Sequence, residues 1–331
     1  MEDGLQSKID SLQVLRFFAA YSVMMVHLPI FQYGMWGVDI FFVISGFIMM
    51  YVTENSNKHF FIKRIFRIVP LYWLLTFFVF IIAILKPGLL NNTTANFDHL
   101  AKSLFFIPFN KNEIGHAPIL FLGWTLNFEM IFYLLFALTL TFFNKKKFLS
   151  CSLIIVIFFF FNKFFSEKNF IFSTYANDIL FEFIFGMIAF LIWKKYKDFN
   201  YGNNFFNHVK ILSLLILITF VSNLANLPRS INYGIPSFIL VLYFVIFLNN
   251  FKFPKIFVTL GDASYCIYLI HPYIVQFFYK ILMIGSYNFP VQIIFTIIIS
   301  FVVFAISILI FKFIELPINR YLKLKFLKNE I

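Results

Sequence analysis

The sequence is poor in charge, in acid and in cysteine. Asp, Glu, Lys and Arg together make up 13% of its 331 residues, about half the ~25% of an ordinary soluble domain, and this excludes a soluble globule. The same composition excludes disorder, a collagen repeat, a coiled coil and a disulfide scaffold. The two cysteines, Cys151 and Cys266, lie within or beside apolar runs, so neither an extracellular disulfide framework nor redox chemistry is implied. His59, His99, His116 and His208 fall in loops without metal-ligand spacing, and no metal is expected. No small-residue cleavage site follows the first apolar run, so that run reads as an anchor and not as a removable signal. No internal repeat is evident, which gives the inverted-repeat architecture of many transporters no support.

What the chain has in abundance is apolar surface: 61% of its residues are hydrophobic, 22% are aromatic and the mean hydropathy is +0.86. That is about 202 residues, and a bilayer-spanning helix uses ~20, so roughly ten spans fit with short connections. They fall near 12–30, 36–53, 69–86, 120–143, 148–162, 176–193, 209–224, 231–248, 257–283 and 291–314. The longest connection is 87–119, where Leu104 to Phe109 is expected to dip into the membrane interface. No separate soluble domain interrupts residues 1–331. The richness in Phe, Ile, Asn and Lys points to an AT-rich, bacterial coding sequence.

The net charge of +12 follows the spans. With the N-terminus inside, the outer side keeps Lys86, Lys102, Lys111, Lys163, Lys168, Arg229 and Lys280, and the other twenty of the 27 Lys and Arg residues lie on the inner side. The bias alternates loop by loop, as the positive-inside rule requires, and both termini are expected in the cytoplasm. Because the basic residues flank apolar runs and form no groove between aromatics, nucleic acid is not an expected partner.

An ionisable group at bilayer depth costs several kcal/mol unless paired or hydrated, so each one inside a span is a functional candidate. Arg16 and His27 lie in the first span. Eleven positions apart, they stand about 16 Å apart along the axis and about 20° apart around it, on one helical face. The plain alternative is an Arg snorkelling to the inner interface and a His capping the outer end. Asp39 opens the second span, and the short turn 28–35 holds it near the depth of His27. A His–carboxylate pair that fixes the imidazole tautomer is then open, as is simple complementation of the helix dipole.

Arg64 and Arg67, at i and i+3, share a helical face and suit bidentate capture of phosphates, although topology alone also places positive charge there. Glu129 lies inside the fourth span with Tyr133 one turn on, either paired structurally or lining a cavity. Ser45-Gly46 reads as a small-residue packing notch. Asp178 and Glu182 share a face at the outer start of the sixth span, and His271 sits deep in the ninth beside Pro272.

In order along the chain, these residues resemble the integral-membrane acyltransferase family 3. The resemblance rests on Arg16 and His27 separated by ten residues, on the block from Gly37-Val38-Asp39 to Ser45-Gly46-Phe47, and on Arg64-x-x-Arg67 followed by Pro70. It continues through Trp124, Leu126, Glu129, Phe132 and Tyr133, then Glu182-Phe183 with Gly186, Ser264-Tyr265 leading to Tyr268-Leu269-Ile270-His271, and Glu315-Leu316-Pro317. It implies an all-α, ten-helix protein of the bacterial cytoplasmic membrane that moves acyl groups, most often acetyl, from cytoplasmic acyl-coenzyme A to hydroxyls of extracytoplasmic carbohydrates. It further implies His27 as the central catalytic histidine and Arg64 and Arg67 as donor-side residues.

The combined expectation is that acetyl-coenzyme A docks on Arg64 and Arg67 and threads past Arg16 to His27, with Asp39 orienting the imidazole. Glu129 completes the catalytic candidates, and Trp124, Tyr133, Glu182 and His271 are candidates for acceptor or oxyanion contacts. The acceptor is a capsular, exo- or lipopolysaccharide or a lipid-linked glycan. With about 17 residues after the tenth span, the chain is expected to act alone or with a separate protein. The competing class is a transporter or flippase of a lipid-linked sugar, and a non-catalytic partner subunit is a third.

Overall fold

A computed structural model describes residues 8–28, 34–90, 93, 95–110, 118–197 and 227–327. Among the described residues all regular structure is helical and there is no strand. The order is α1 Asp10–Val26, α2 Trp36–Val52, α3 Phe60–Leu85, α4 Phe97–Leu104, α5 Gly123–Phe143, α6 Lys147–Phe164, α7 Phe170–Tyr175 and α8 Phe181–Tyr196. It continues with α9 Ser230–Phe247, α10 Lys255–Asp262, α11 Ser264–Ile281 and α12 Phe289–Phe326. Helices stand at nine of the expected spans; the one at 209–224 lies outside the described residues. Among the described residues, four helical stretches are long and apolar enough to cross a membrane: α3, the continuous α5 and α6, α9 and α12.

The outward faces of these helices are apolar. On α6, Leu149, Leu153, Ile157, Phe160 and Phe164 are all exposed, at the three- and four-residue spacing that aligns side chains along one helical stripe. So large an apolar stripe is unfavourable in water and matches a lipid-facing surface. The chain is a helical membrane protein.

Inside, α2 and α8 lie closest together. A Cβ added to Gly46 would stand 2.1 Å from the Phe183 carbonyl oxygen, and one added to Gly186 would stand 2.0 Å from that of Val43. Only glycine permits that approach, which is how small residues let membrane helices pack without a hydrophobic driving force. The notch expected at Ser45-Gly46 is thus a backbone crossing. Rings lock it on both sides, with Phe42 against Phe183 at 5.0 Å and Phe47 against Phe190 at 5.7 Å.

In the long connection, the side chain of Asn96 caps α4, accepting from the amides of Asp98 and His99 at 2.8 and 3.2 Å. Tyr72 and Trp73 of α3 hold its end by donating to the carbonyls of Ser103 and Leu104 at 3.1 and 2.9 Å. Phe97 and Phe105 stay exposed.

Candidate active site

Helix α1 ends at His27, whose amide donates to the Met24 carbonyl at 3.0 Å as the C-cap. Its imidazole ring lies 5.1 Å from that of His271 on α11, with the planes inclined at 52°, and edge-on to Phe121 at 5.9 Å. His271 is fully buried. Its Nδ1 stands 2.9 Å from the carbonyl oxygen of Ile267. A carbonyl only accepts, so Nδ1 carries the proton and Nε2 keeps a lone pair. That Nε2 is buried and has no hydrogen-bond partner among the described residues.

Below the two imidazoles the polar groups continue turn by turn. Tyr268 lies one turn from His271, with ring centres 6.3 Å apart, and its hydroxyl shares a hydrogen bond of 2.9 Å with Thr125 of α5. One turn further along α5, Glu129 accepts from Ser45 of α2 at 2.9 Å and from the Tyr133 hydroxyl. Tyr133 has Arg64 and Arg67 as electrostatic neighbours, and Arg16 has Arg67, Glu315, Asp262 and Glu129. Glu315 sits in a π-turn of α12, where it accepts from the Cys266 thiol at 3.0 Å. Arg16 donates to Gln13 at 3.0 Å, and Arg64 lies over the Phe60 ring at 5.9 Å with a buried Nε that has no hydrogen-bond partner among the described residues.

The result is one polar column through the helices, with guanidiniums at one end and two imidazoles at the other. The first suits a polyanion. The second suits movement of a proton.

Asp39 stands elsewhere. The Arg229 guanidinium grips its carboxylate through Nε and an Nη, both at 2.8 Å. Helix geometry explains why it does not hold His27. Gly37 is the residue that touches α1, since a Cβ there would be 2.3 Å from the Ala19 carbonyl oxygen. Asp39, two positions on, is turned about 200° away, toward α8 and α9. Phe41, four positions from Gly37, returns to the column and packs on Tyr268 at 5.8 Å. The expected orientation of His27 by Asp39 is therefore corrected: the carboxylate belongs to an ion pair on the opposite face of α2.

Glu182 is buried in that second assembly beside Asp39, and Asp178 accepts there from the Ser230 amide at 2.7 Å. Trp124 packs edge-on against Phe128 at 6.2 Å. The structure thus brings His27 and His271 together, joins Glu129 to Tyr133, and gathers Arg16, Arg64 and Arg67. Sequence reasoning missed Arg229 as the partner of Asp39, and missed the hydroxyls of Ser45, Thr125 and Tyr268 within the column. The available signal was that a carboxylate buried on α2 requires a cation, and Arg229 is the lone arginine among the residues assigned to the outer side.

The acyltransferase domain family matches residues 9–312. "Exopolysaccharide production protein ExoZ" of Rhizobium meliloti (strain 1021) is 36% identical over 169 residues, 50% of this chain and 53% of that protein. The match therefore spans about half the length of ExoZ. "Putative acetyltransferase ORF330" of Acidianus two-tailed virus is 28% identical over 287 residues, 78% of this chain and 80% of that protein. No solved structure matches the chain. The family match covers nearly the whole length, and the chain belongs to acyltransferase family 3.

Proposed function

We propose that this protein is a multi-pass enzyme of a bacterial cytoplasmic membrane that transfers an acetyl group from cytoplasmic acetyl-coenzyme A to a hydroxyl of an extracytoplasmic surface carbohydrate. The observation that carries the reading is the polar column, cationic at one end and imidazole-bearing at the other. The names of the two relatives support the acceptor and the acyl group: exopolysaccharide production for ExoZ and acetyl transfer for ORF330. The alternation of Lys and Arg supports ten crossings with both termini inside.

In this reading Arg64 and Arg67 take the donor phosphates, with the buried Arg64 Nε–H placed to donate to a phosphate oxygen. Arg16 flanks the donor arm. His27 acts as general base on the sugar hydroxyl. As the hydroxyl oxygen forms its bond to the thioester carbon, His27 takes the proton; the carbon–sulfur bond then breaks and His27 returns the proton to the sulfur. The products are an O-acetyl ester and the free thiol of coenzyme A. Thr125 and Tyr268 bond each other at 2.9 Å beside His271; with Thr125 donating to Tyr268, the Tyr268 hydroxyl proton is the donor for the oxyanion of the tetrahedral intermediate. No serine or cysteine stands as nucleophile in this scheme; Ser45 donates to Glu129, and Cys266 donates to Glu315.

The test is proton NMR of surface polysaccharide from strains with the gene intact, deleted, and restored with wild type or His27→Ala. The expected result is an O-acetyl signal that disappears on deletion, returns with wild type and does not return with the variant. An unchanged O-acetyl signal on deletion overturns the acceptor assignment. Full restoration by His27→Ala overturns the base.

A further inference from the structure

A buried ring nitrogen with a lone pair and no donor is an anomaly in a folded protein, because leaving an acceptor unsatisfied costs about 1–3 kcal/mol. The Nε2 atom of His271 is in that position. Its presence there is not accidental to the ring, since the Ile267 carbonyl holds Nδ1 at 2.9 Å and thereby fixes both the proton on Nδ1 and the lone pair on Nε2. Burial of the whole side chain prevents the ring from turning to water. Pro272 follows it directly and lacks the amide that would otherwise occupy the Tyr268 carbonyl, so the turn carrying His271 is an interrupted one.

The ring it faces is His27. With centres 5.1 Å apart the two rings are not hydrogen-bonded in this structure, but a turn of the His27 ring that faces one of its nitrogens to Nε2 would bring the two atoms to about 3 Å, the length of a hydrogen bond. An imidazole needs such a second partner to act as a base of defined tautomer: one nitrogen must be held as N–H so that the other is bare toward the substrate. The carboxylate that serves this purpose in many sites is engaged here with Arg229.

Resting on the proposed reading of His27 as the base, we infer that His271 is a positioning residue whose Nε2 accepts the N–H of His27 when the His27 ring turns onto it with substrates bound, so that the remaining nitrogen of His27 is presented to the acceptor hydroxyl. The chain Ile267 carbonyl, His271, His27 then runs from backbone to base. When His27 takes the hydroxyl proton, its imidazolium keeps the hydrogen bond to His271, and the proton leaves again to the coenzyme A sulfur; His271 gains and loses none.

Three substitutions separate positioning from packing. His271→Gln places an acceptor oxygen where Nε2 stood, His271→Asn places its polar atoms near Nδ1 only, and His271→Leu provides neither. Each full-length variant is purified in detergent, checked for monodispersity, and assayed for coenzyme A thiol release with acetyl-coenzyme A and delipidated surface polysaccharide. The expected result is a kcat within about tenfold of wild type for Gln and a loss of about 100-fold for Asn and Leu, with KM for acetyl-coenzyme A unchanged throughout, in the range for partners that orient a reacting histidine. Equal activity of Asn and Gln overturns the inference, as does a Gln variant that is monodisperse and as inactive as Leu. If Leu does not fold, the Asn and Gln pair decides alone. A wild-type protein that releases no thiol with any surface polysaccharide defeats the underlying reading instead, which keeps the two failures apart.

Discussion

Two polar assemblies flank α2, and they are built on opposite principles. In one, Asp39, Arg229, Glu182 and the Asp178 contact to Ser230 form a charged knot in which the guanidinium grips its carboxylate with two bonds of 2.8 Å. In the other, His27 and His271 face each other without a fixed charge between them, and one nitrogen is left without a partner. The doubly bonded Asp39–Arg229 pair resists change, while both carboxylate oxygens of the neighbouring Glu182 have no hydrogen-bond partner among the described residues. An unsatisfied pair of neutral imidazoles invites a proton or a substrate. The lesson is that a charged residue buried among membrane helices need not belong to the reaction: Asp39 is committed to Arg229 and joins the second assembly, away from the two imidazoles.

The comparison is broken most severely at the imidazoles. His27→Ala is expected to lower kcat by about 10⁴-fold, the upper range for loss of a general base, with the protein still folded and membrane-inserted; thiol release on a purified sample measures it. At the far end of the column, Arg64→Ala/Arg67→Ala is expected to weaken coenzyme A binding about 1,000-fold, since two charge-assisted hydrogen bonds are each worth about 2 kcal/mol. Calorimetric titration checks this, and unchanged binding would return both arginines to topology alone.

The charged knot gives the opposite signature. Arg229→Met is expected to destabilise the fold by about 3 kcal/mol, because it leaves the Asp39 carboxylate buried without its cation, while kcat per folded molecule is retained. A thermal melt in detergent set beside the thiol assay separates the two effects, and loss of kcat without loss of melting temperature would place the knot in the catalytic machinery. The smallest effect belongs to the surface. Lys194 and Glu54 pair at 2.6 Å, but the exposed ammonium is screened, and Lys194→Ala is expected to change stability by less than about 1 kcal/mol.

Much of this arrangement is legible in the sequence because membrane helices write their positions as apolar runs. The face shared by Arg16 and His27 follows from periodicity along one helix, and Gly46 is visible as a place where backbones meet. The direction of Asp39 was harder to see. Its distance along the chain from His27 suggested proximity, and only the contact of Gly37 with α1 shows that two further positions turn Asp39 to the far side. Arg229 stands 190 residues from its carboxylate, and no local pattern links them. His271 could be singled out by its depth and its proline, yet its neighbour is set by how α1 and α11 cross. Pairings between distant helices depend on packing that no single segment encodes.

Arg16 lies near the middle of α1 and His27 at its C-cap, so one helix fixes how far apart along its axis the two side chains are rooted. Eleven residues rise about 16 Å, and on the proposed reading a donor held by its phosphates at Arg64 and Arg67 extends its arm along this stretch of α1 to bring its reactive carbon to His27. On the proposed reading, such a site would favour an acyl group carried on a long arm over a compact activated acid such as acetyl phosphate.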